Sequence, residues 1–248
     1  MKRSAAVSII KFISVAAFWL ALWQLASMLV GSELLLPTPF SVLKTLFELM
    51  GTARFWQSLL HTLLRVLAGF SLGIIAGTLL GAVTASSRLL GLFLSPLRSI
   101  IKATPVTSFI VLLLLYFSPV TTPIAVSLLM VVPIAWANVA KGITEADPQL
   151  LEMARVFKLG RAKTLKSVYI PSLLPHFLTA ATTGFGFAWK SCVAAEVIAL
   201  SRLSIGKALY ESKLYLETPR LFAWTAAIIL ISMLLEALIV KGLGRLKK

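Results

Sequence analysis

Reactive side chains are scarce in this chain of 248 residues. It has one cysteine, Cys192, and two histidines, His61 and His176. A single cysteine excludes an intrachain disulfide and a thiolate metal cluster, and neither histidine has neighbours at metal-ligand spacing. The motifs G-x-x-x-x-G-K-[ST], H-E-x-x-H and G-x-S-x-G are also missing. The sequence therefore predicts that the chain itself binds no ATP, metal or other cofactor and carries no catalytic cluster.

Charged residues are also few. They make up 13% of the chain, whereas hydrophobic residues make up 58% and the mean hydropathy is +0.93; a soluble domain carries about 25% charged residues. The apolar residues come in blocks of about 20, the length that crosses a hydrocarbon core about 30 Å thick. Because backbone groups in lipid need internal partners, these blocks predict helices.

The chain is therefore expected to be an all-α polytopic membrane protein with a single transmembrane domain, residues 1–248. The first span is expected to be retained rather than cleaved as a signal peptide. Six spans are predicted, near residues 12–30, 63–85, 98–117, 121–140, 175–199 and 221–240.

Acidic residues are outnumbered nine to 24 by basic ones, which gives a net charge of +15. Such an excess can indicate nucleic-acid binding, but its distribution favours a membrane. With six spans and a cytoplasmic N-terminus, sixteen basic residues fall on the inside, seven on the outside and one, Lys190, within a span. This asymmetry predicts that both termini and the segment 141–171 are cytoplasmic. The chain is therefore expected to contact membrane lipid and to bind no nucleic acid.

The segment 141–171 is a polar island between two apolar runs. Asp147 followed by Pro148 is typical of a helix start, and Gly160 is expected to break that helix. A second short helix is expected to follow and to stop at Pro171. The first helix carries an apolar stripe at helical spacing, formed by Leu150, Met153, Ala154 and Phe157. Two such helices could bind anionic lipid or a soluble partner.

Small residues recur along the second span. Glycines at a spacing of four lie on one helix face, where they allow close helix approach in a membrane. The pattern leaves open whether this face packs within the chain or between two copies. The residues are Gly69, Gly73, Gly77 and Gly81.

The fifth predicted span carries two charges, Lys190 and Glu196. A charge within a span costs at least about 2.5 kcal/mol on insertion scales, which favours a functional role. Lys190, its neighbour Trp189, and Glu196 are therefore candidates for lining a translocation pathway, with Lys190 attracting an anionic solute. The alternative is that either charge satisfies a helix break or pairs between subunits.

The polar island resembles a known motif. Glu152-Met153-Ala154, followed by Arg155 and closed by Ile170-Pro171, is similar to the EAA loop of ABC importer permeases. That loop has a Glu-Ala-Ala triplet, a glycine six residues after the glutamate, and an apolar-proline pair near nineteen residues after it. Glu152, Ala154 and Pro171 match this pattern. Met153 replaces the first alanine, and Lys158 replaces the glycine, with Gly160 two residues later.

Other segments extend the resemblance over most of the chain. They are similar to permeases of the nitrate, sulfonate and taurine importers: LLPTPFSV, LLRVLAGFSLGIIAG, PVTSFIVLLLLYF and GFAWKSCVAAEVIAL. The resemblance implies the type I ABC importer (MetI-like) permease fold in the cell membrane of a prokaryote. It also implies a small, anionic solute, with a vitamin precursor of the thiamine-pyrimidine or riboflavin type as the alternative.

The resemblance further implies that the chain works together with several partner proteins. The partners would be a cytoplasmic ABC ATPase dimer, which holds ATP and Mg, an extracytoplasmic solute-binding protein, and a second permease copy, with a homodimer expected. The coupling residues would be those of the loop: Glu152, Met153, Ala154, Arg155, Gly160 and Pro171. An ion-driven secondary carrier is a second hypothesis, but no internal repeat supports it. A membrane enzyme is disfavoured because no catalytic cluster is present.

Overall fold

The structure is a computed structural model that describes the backbone of residues 2–244 and the side chains of residues 13–242. Arg245, Lys247 and Lys248, which contribute to the predicted inner charge, lie outside the described residues. The residues from 2 to 244 form helices and connecting turns, without strands. In order they are α1 (Lys2–Val30), α2 (Pro39–Met50), α3 (Ala53–Ser86), α4 (Arg88–Ala103), α5 (Val106–Leu114), α6 (Thr122–Thr144), α7 (Pro148–Val156), α8 (Arg161–Thr164), α9 (Ile170–Ala199), α10 (Ile205–Leu214) and α11 (Thr218–Gly244), with a π-helical turn, Leu165–Tyr169, joining α8 to α9.

Hydroxyl caps mark where several of these helices begin. Thr38 accepts from the amide of Ser41 at 3.1 Å and so starts α2. Thr52 plays the same part for α3, accepting from Phe55 at 3.3 Å. Each cap satisfies an amide that would otherwise lack a partner in the first helical turn.

Four helices within the described residues are long and apolar enough to span a membrane: α1, α3, α6 and α11. They overlap the predicted spans near 12–30, 63–85, 121–140 and 221–240, which stay predictions. The helix α9 has 30 residues but is less apolar, because it includes Lys190, Glu196 and several small residues. The total of six spans, with α9 among them, stays a prediction with which the structure is compatible.

The predicted span near 98–117 is not one straight helix. It corresponds to parts of α4 and α5, which meet at an angle of 98° and count as one further span only if the bent pair crosses as a unit. The break lies at Thr104-Pro105, where Thr104 has the extended conformation (ψ 127°) that a following proline favours. Pro105 thus interrupts the third predicted span.

The helix α6 is at the centre of the fold, between α3 and α9. Half of the residues in its apolar stretch are buried, against 6% for α1 and 17% for α11. Ser127 of α6 donates to the carbonyl of Ala188 in α9 at 3.1 Å, and the Trp136 indole donates to Thr84 of α3 at 2.8 Å. The outward faces of α1 and α11 carry exposed leucine, isoleucine and methionine side chains, as expected of helices that face lipid.

The four glycines of α3 lie against α6 in the same chain. A Cβ atom built on Gly77 would lie 2.6 Å from the Cβ of Ala135 and 2.6 Å from the carbonyl oxygen of Val132. At Gly73 the nearest atom would be the Cβ of Val131, also at 2.6 Å. Because the facing α6 residues also recur every four positions, the two backbones stay close along several turns. The facing residues are Ser127, Val131, Ala135 and Val139.

Candidate functional site

The loop between α6 and α9 begins as its sequence predicts. The Asp147 side chain accepts from the amide of Gln149 at 2.8 Å, and Pro148 occupies the first helical turn, where no amide donor is needed. The resulting helix, α7, has nine residues and carries Glu152, Met153, Ala154 and Arg155. The coupling residues suggested by the resemblance therefore lie on one short helix.

The residue that ends α7 in a left-handed conformation is Lys158 rather than Gly160. Lys158 has a φ of +49°, the left-handed conformation that closes many helices and usually belongs to glycine. The amide of Leu159 donates to the Ala154 carbonyl at 2.9 Å, and the amide of Lys158 donates to Arg155 at 3.0 Å. These two bonds satisfy the last carbonyls of α7. Gly160 has an ordinary extended backbone and only precedes α8.

Lys158→Gly is therefore expected to stabilise the loop by about 1 kcal/mol, since a non-glycine residue in this conformation costs of order 1–3 kcal/mol. Hydrogen exchange of the Leu159 amide should slow about fivefold. Gly160→Ala is the matched control, because a Cβ there meets no atom within 4 Å. Unchanged exchange in Lys158→Gly, or slowing in Gly160→Ala alone, would contradict this account of the bend.

The helix that follows does not stop at Pro171. The helix α8 continues through the π-helical turn Leu165–Tyr169 into α9, and the Ile170 amide donates to the carbonyl of Leu165. A proline in a regular helix lacks a donor and collides with the carbonyl four residues earlier. The wider turn accommodates Pro171, so the helix runs on where the sequence predicted an end. Pro175 also lies inside α9.

The loop presents apolar side chains to its surroundings. We call the exposed set Leu150, Met153, Val156, Phe157 and Leu165 the loop patch. Val156 and Phe157 are 72% and 70% exposed, whereas Ala154 is the buried member of the predicted stripe. Glu152 and Arg155 are exposed on the same helix. The cations around the patch are exposed as well: Arg155, Lys158, Arg161, Lys163 and Lys166.

Both ends of the loop are attached to the central helices. Gly142, near the end of α6, lies so close to α9 that a Cβ would be 3.0 Å from Leu173 and 3.1–3.2 Å from His176. Glu145 lies 3.6 Å from the His176 imidazole and 3.7 Å from the Lys141 ammonium group. Displacement of the loop would therefore act on α6 and α9 together.

Glu196 is fully buried in a network that joins three helices. Its Oε1 accepts from Arg65 of α3 at 2.7 Å, and both carboxylate oxygens lie 2.9–3.0 Å from the Thr62 hydroxyl. The amide of Gly206, at the start of α10, donates to Oε2 at 3.3 Å. The Ile205 amide donates to Thr62 at 3.1 Å. Glu196 thus accepts a hydrogen bond from the first turn of α10, after the helix break that follows α9. This arrangement corresponds to the alternative in which the charge satisfies a helix break.

The other two pathway candidates lie in different environments. Trp189 is 1% exposed within the main hydrophobic core, which it shares with Phe185, Val193 and Trp224. Lys190, the next residue of α9, is exposed. Of the three candidates, Lys190 has a side chain that reaches the surface of the chain, and its place in a pathway stays a prediction.

A family comparison agrees with this architecture. The model of the family "Binding-protein-dependent transport system inner membrane component" matches residues 69–246, from the first glycine facing α6 to the end of α11 and beyond. The chain belongs to this family. It is a multi-pass permease subunit of an ABC importer, with a role in transport.

Curated relatives of this permease come from several bacteria. It is 28% identical over 207 residues to a putative aliphatic sulfonates transport permease protein of Bacillus subtilis, covering 82% of this chain and 74% of that protein. It is also 28% identical over 221 residues to the taurine transport system permease protein of Escherichia coli, with 86% and 80% covered. A nitrate import permease protein of Synechococcus elongatus is 28% identical over 193 residues, with 73% and 68% covered.

Two solved structures share the fold of the permease. One is described as an amino acid ABC transporter with histidines; it aligns with a TM-score of 0.62 at 19% identity, covering 78% of this chain and 92% of that chain. The other shows inward-facing conformations of the MetNI methionine ABC transporter, with a TM-score of 0.54 at 17% identity, covering 77% and 91%. The permease therefore has the type I ABC importer fold.

Sequence reasoning missed Arg65 and Thr62 as partners of Glu196. Arg65 is one of the seven cations that the charge count assigns to the outside, although it falls within the predicted span 63–85. The sequence does contain a signal for this pairing, because a buried acid in one span and a cation near the same end of another span are expected to pair. Their separation of 131 positions along the chain conceals that pairing until the helices are packed.

Proposed function

We propose that a cytoplasmic ABC ATPase docks on the loop patch of this permease and drives solute import. The observation that carries the proposal is the set of exposed apolar side chains on α7 and the segment that follows it. Exposed cations are interspersed among them along the chain, and both ends of the loop are attached to the central helices. Large exposed apolar groups rimmed by polar ones are typical of protein interfaces. The family supports such a partner, and ATP and Mg would be held by that ATPase.

The packing supports a direct route from the loop to the transmembrane helices. The loop leaves α6 at Gly142 and re-enters the membrane region through α9, and these helices contact each other where the loop begins. The glycines of α3 hold α6 along several turns. A partner that binds the loop differently in its nucleotide states would bias the arrangement of α6 and α9. The excess of basic residues supports a cytoplasmic loop and cytoplasmic termini.

The proposed solute is a small molecule with an anionic oxyacid group, delivered by an extracytoplasmic binding protein. The relatives are described as sulfonate, taurine and nitrate permeases, and Lys190 is an exposed cation within α9. A second permease copy would face Lys190 across the transport path, with a homodimer as the simplest arrangement.

Phe157→Ser should reduce ATPase docking at least tenfold, because it removes a large apolar side chain of the loop patch that is 70% exposed. The measurement is co-purification of the co-expressed cognate ATPase, followed by solute-stimulated ATP hydrolysis in nanodiscs. Phe40→Ser is the matched control, since Phe40 is 77% exposed on α2 at the other end of the fold. Retained ATPase with Phe157→Ser, or equal loss with both variants, would count against the loop patch as the docking surface.

A further inference from the structure

Lys190 on α9 and Glu236 on α11 are charged side chains on the surface of the permease. Both are exposed, and neither forms an ion pair within 4.0 Å with any described side chain. The Ser232 hydroxyl lies at the long distance of 3.5 Å from Oε1 of Glu236. Both charges thus face away from the core.

Glu236 lies beside the middle of α9. A Cβ built on Gly186 would be 3.0 Å from its Oε1. Gly186 is the seventeenth of the 30 residues of α9, so the carboxylate is about 20–25 Å from either end of that helix. Lys190 follows Gly186 by four residues, which places it about 6 Å further along the same helix face. The two charges therefore border one stretch of surface.

The exposed face of α9 near this stretch carries both polar and apolar side chains. Thr179 and Thr183 are exposed there together with Phe187. By contrast, Glu196, the buried charge of the same helix, has an arginine, a threonine and a helix amide as partners. An unpaired charge in lipid is costly. The fold thus provides polar partners for Glu196, the charge that it buries. Lys190 and Glu236 have no ion-pair partner among the described side chains, so they are expected to border a hydrated path rather than hydrocarbon.

We propose that Lys190 and Glu236 form a two-point site for a small zwitterion within the transport path. The Lys190 ammonium group binds a sulfonate or carboxylate of the solute, and the Glu236 carboxylate binds its primary ammonium group. A simple oxyanion would satisfy Lys190 but would meet an unpaired carboxylate at Glu236, which disfavours it. This inference rests on the proposed transport function and narrows its solute class to short amino-sulfonates and amino acids.

The test uses the assembled transporter in membrane vesicles. Ser232→Cys is introduced together with Cys192→Ala, so that the new thiol, one turn from Glu236, is unique in this chain. The thiol is labelled with a negatively charged methanethiosulfonate, with taurine as zwitterion and ethanesulfonate as its counterpart without the ammonium group. Labelling should occur in at least one of the nucleotide-free and ATP-bound complexes, and taurine should slow it at least fivefold more than ethanesulfonate does.

Adding Glu236→Gln should abolish the preference for taurine, and adding Lys190→Gln should abolish protection by both compounds. Glu217→Gln, an acid paired with Arg220 outside this surface, should leave the preference intact. No labelling in either nucleotide state, or equal protection by the two compounds, overturns the zwitterion site. Co-purification and solute-stimulated ATP hydrolysis of the same variants report separately on the transport function. If these persist, only the zwitterion site fails.

Discussion

Replacing Arg65 with methionine should lower the free energy of unfolding by about 3–5 kcal/mol, the usual cost of removing one partner of a buried ion pair. The Arg65 guanidinium lies 2.7 Å from Glu196, and their side chains are 8% and 0% exposed. Without Arg65, the carboxylate keeps only Thr62 and the Gly206 amide as partners. The thermal unfolding of the purified permease in detergent measures this effect.

The matched control is Arg54→Met. Arg54 and Glu211 are also 2.7 Å apart, but their side chains are 63% and 30% exposed. A solvent-screened pair of this kind contributes about 0–1 kcal/mol. The two arginines thus make the same contact at the same distance in different surroundings, and the comparison isolates the effect of burial.

A double variant separates a lost ion pair from lost packing. In Arg65→Met with Glu196→Gln, the uncompensated charge is removed, so most of the lost stability should return. If the double variant is as unstable as Arg65→Met alone, the cost comes from packing around Arg65. Equal destabilisation by Arg54→Met and Arg65→Met would also contradict the structural role of the buried network.

The helical architecture and most spans could be predicted from sequence because lipid imposes a simple rule on long apolar segments. The span near 98–117 shows where that rule is insufficient. Hydropathy measures apolar length, but the 98° bend depends on the backbone preference of Thr104 before Pro105. The lower apolarity of α9 has a different origin, because this helix is covered by α6 on one side and leaves Lys190 open on the other.

The loop shows which local signals are reliable. Asp147-Pro148 predicts the start of α7 because the cap needs only neighbouring residues. The end was predicted at Gly160, since glycine is the usual residue in the left-handed conformation. Lys158 takes that conformation instead because the bonds from Lys158 and Leu159 to α7 require the turn there. Which members of the apolar stripe are buried depends on neighbouring helices, so only Ala154 of that stripe is covered.

The glycine pattern predicted a close helix contact but not its partner. Spacing in one helix identifies a face, whereas the partner is fixed by packing distances across the fold. The structure places Ser127, Val131, Ala135 and Val139 of α6 opposite that face. Because α6 also packs against α9 and leads into the loop, the contact between α3 and α6 stabilises the arrangement of all three helices.

Gly77→Ala is consequently expected to destabilise the permease by about 1–3 kcal/mol, although alanine is the better helix former by about 1 kcal/mol. The new methyl group would lie 2.6 Å from both the Ala135 Cβ and the Val132 carbonyl oxygen. Neither is the end of a flexible side chain, so α3 and α6 must separate. Gly242→Ala, where a Cβ meets nothing within 4 Å, is the control and should be neutral or slightly stabilising. Thermal unfolding in detergent checks both variants. If Gly77→Ala is as stable as Gly242→Ala, the two helices are not in the close contact that the fold requires.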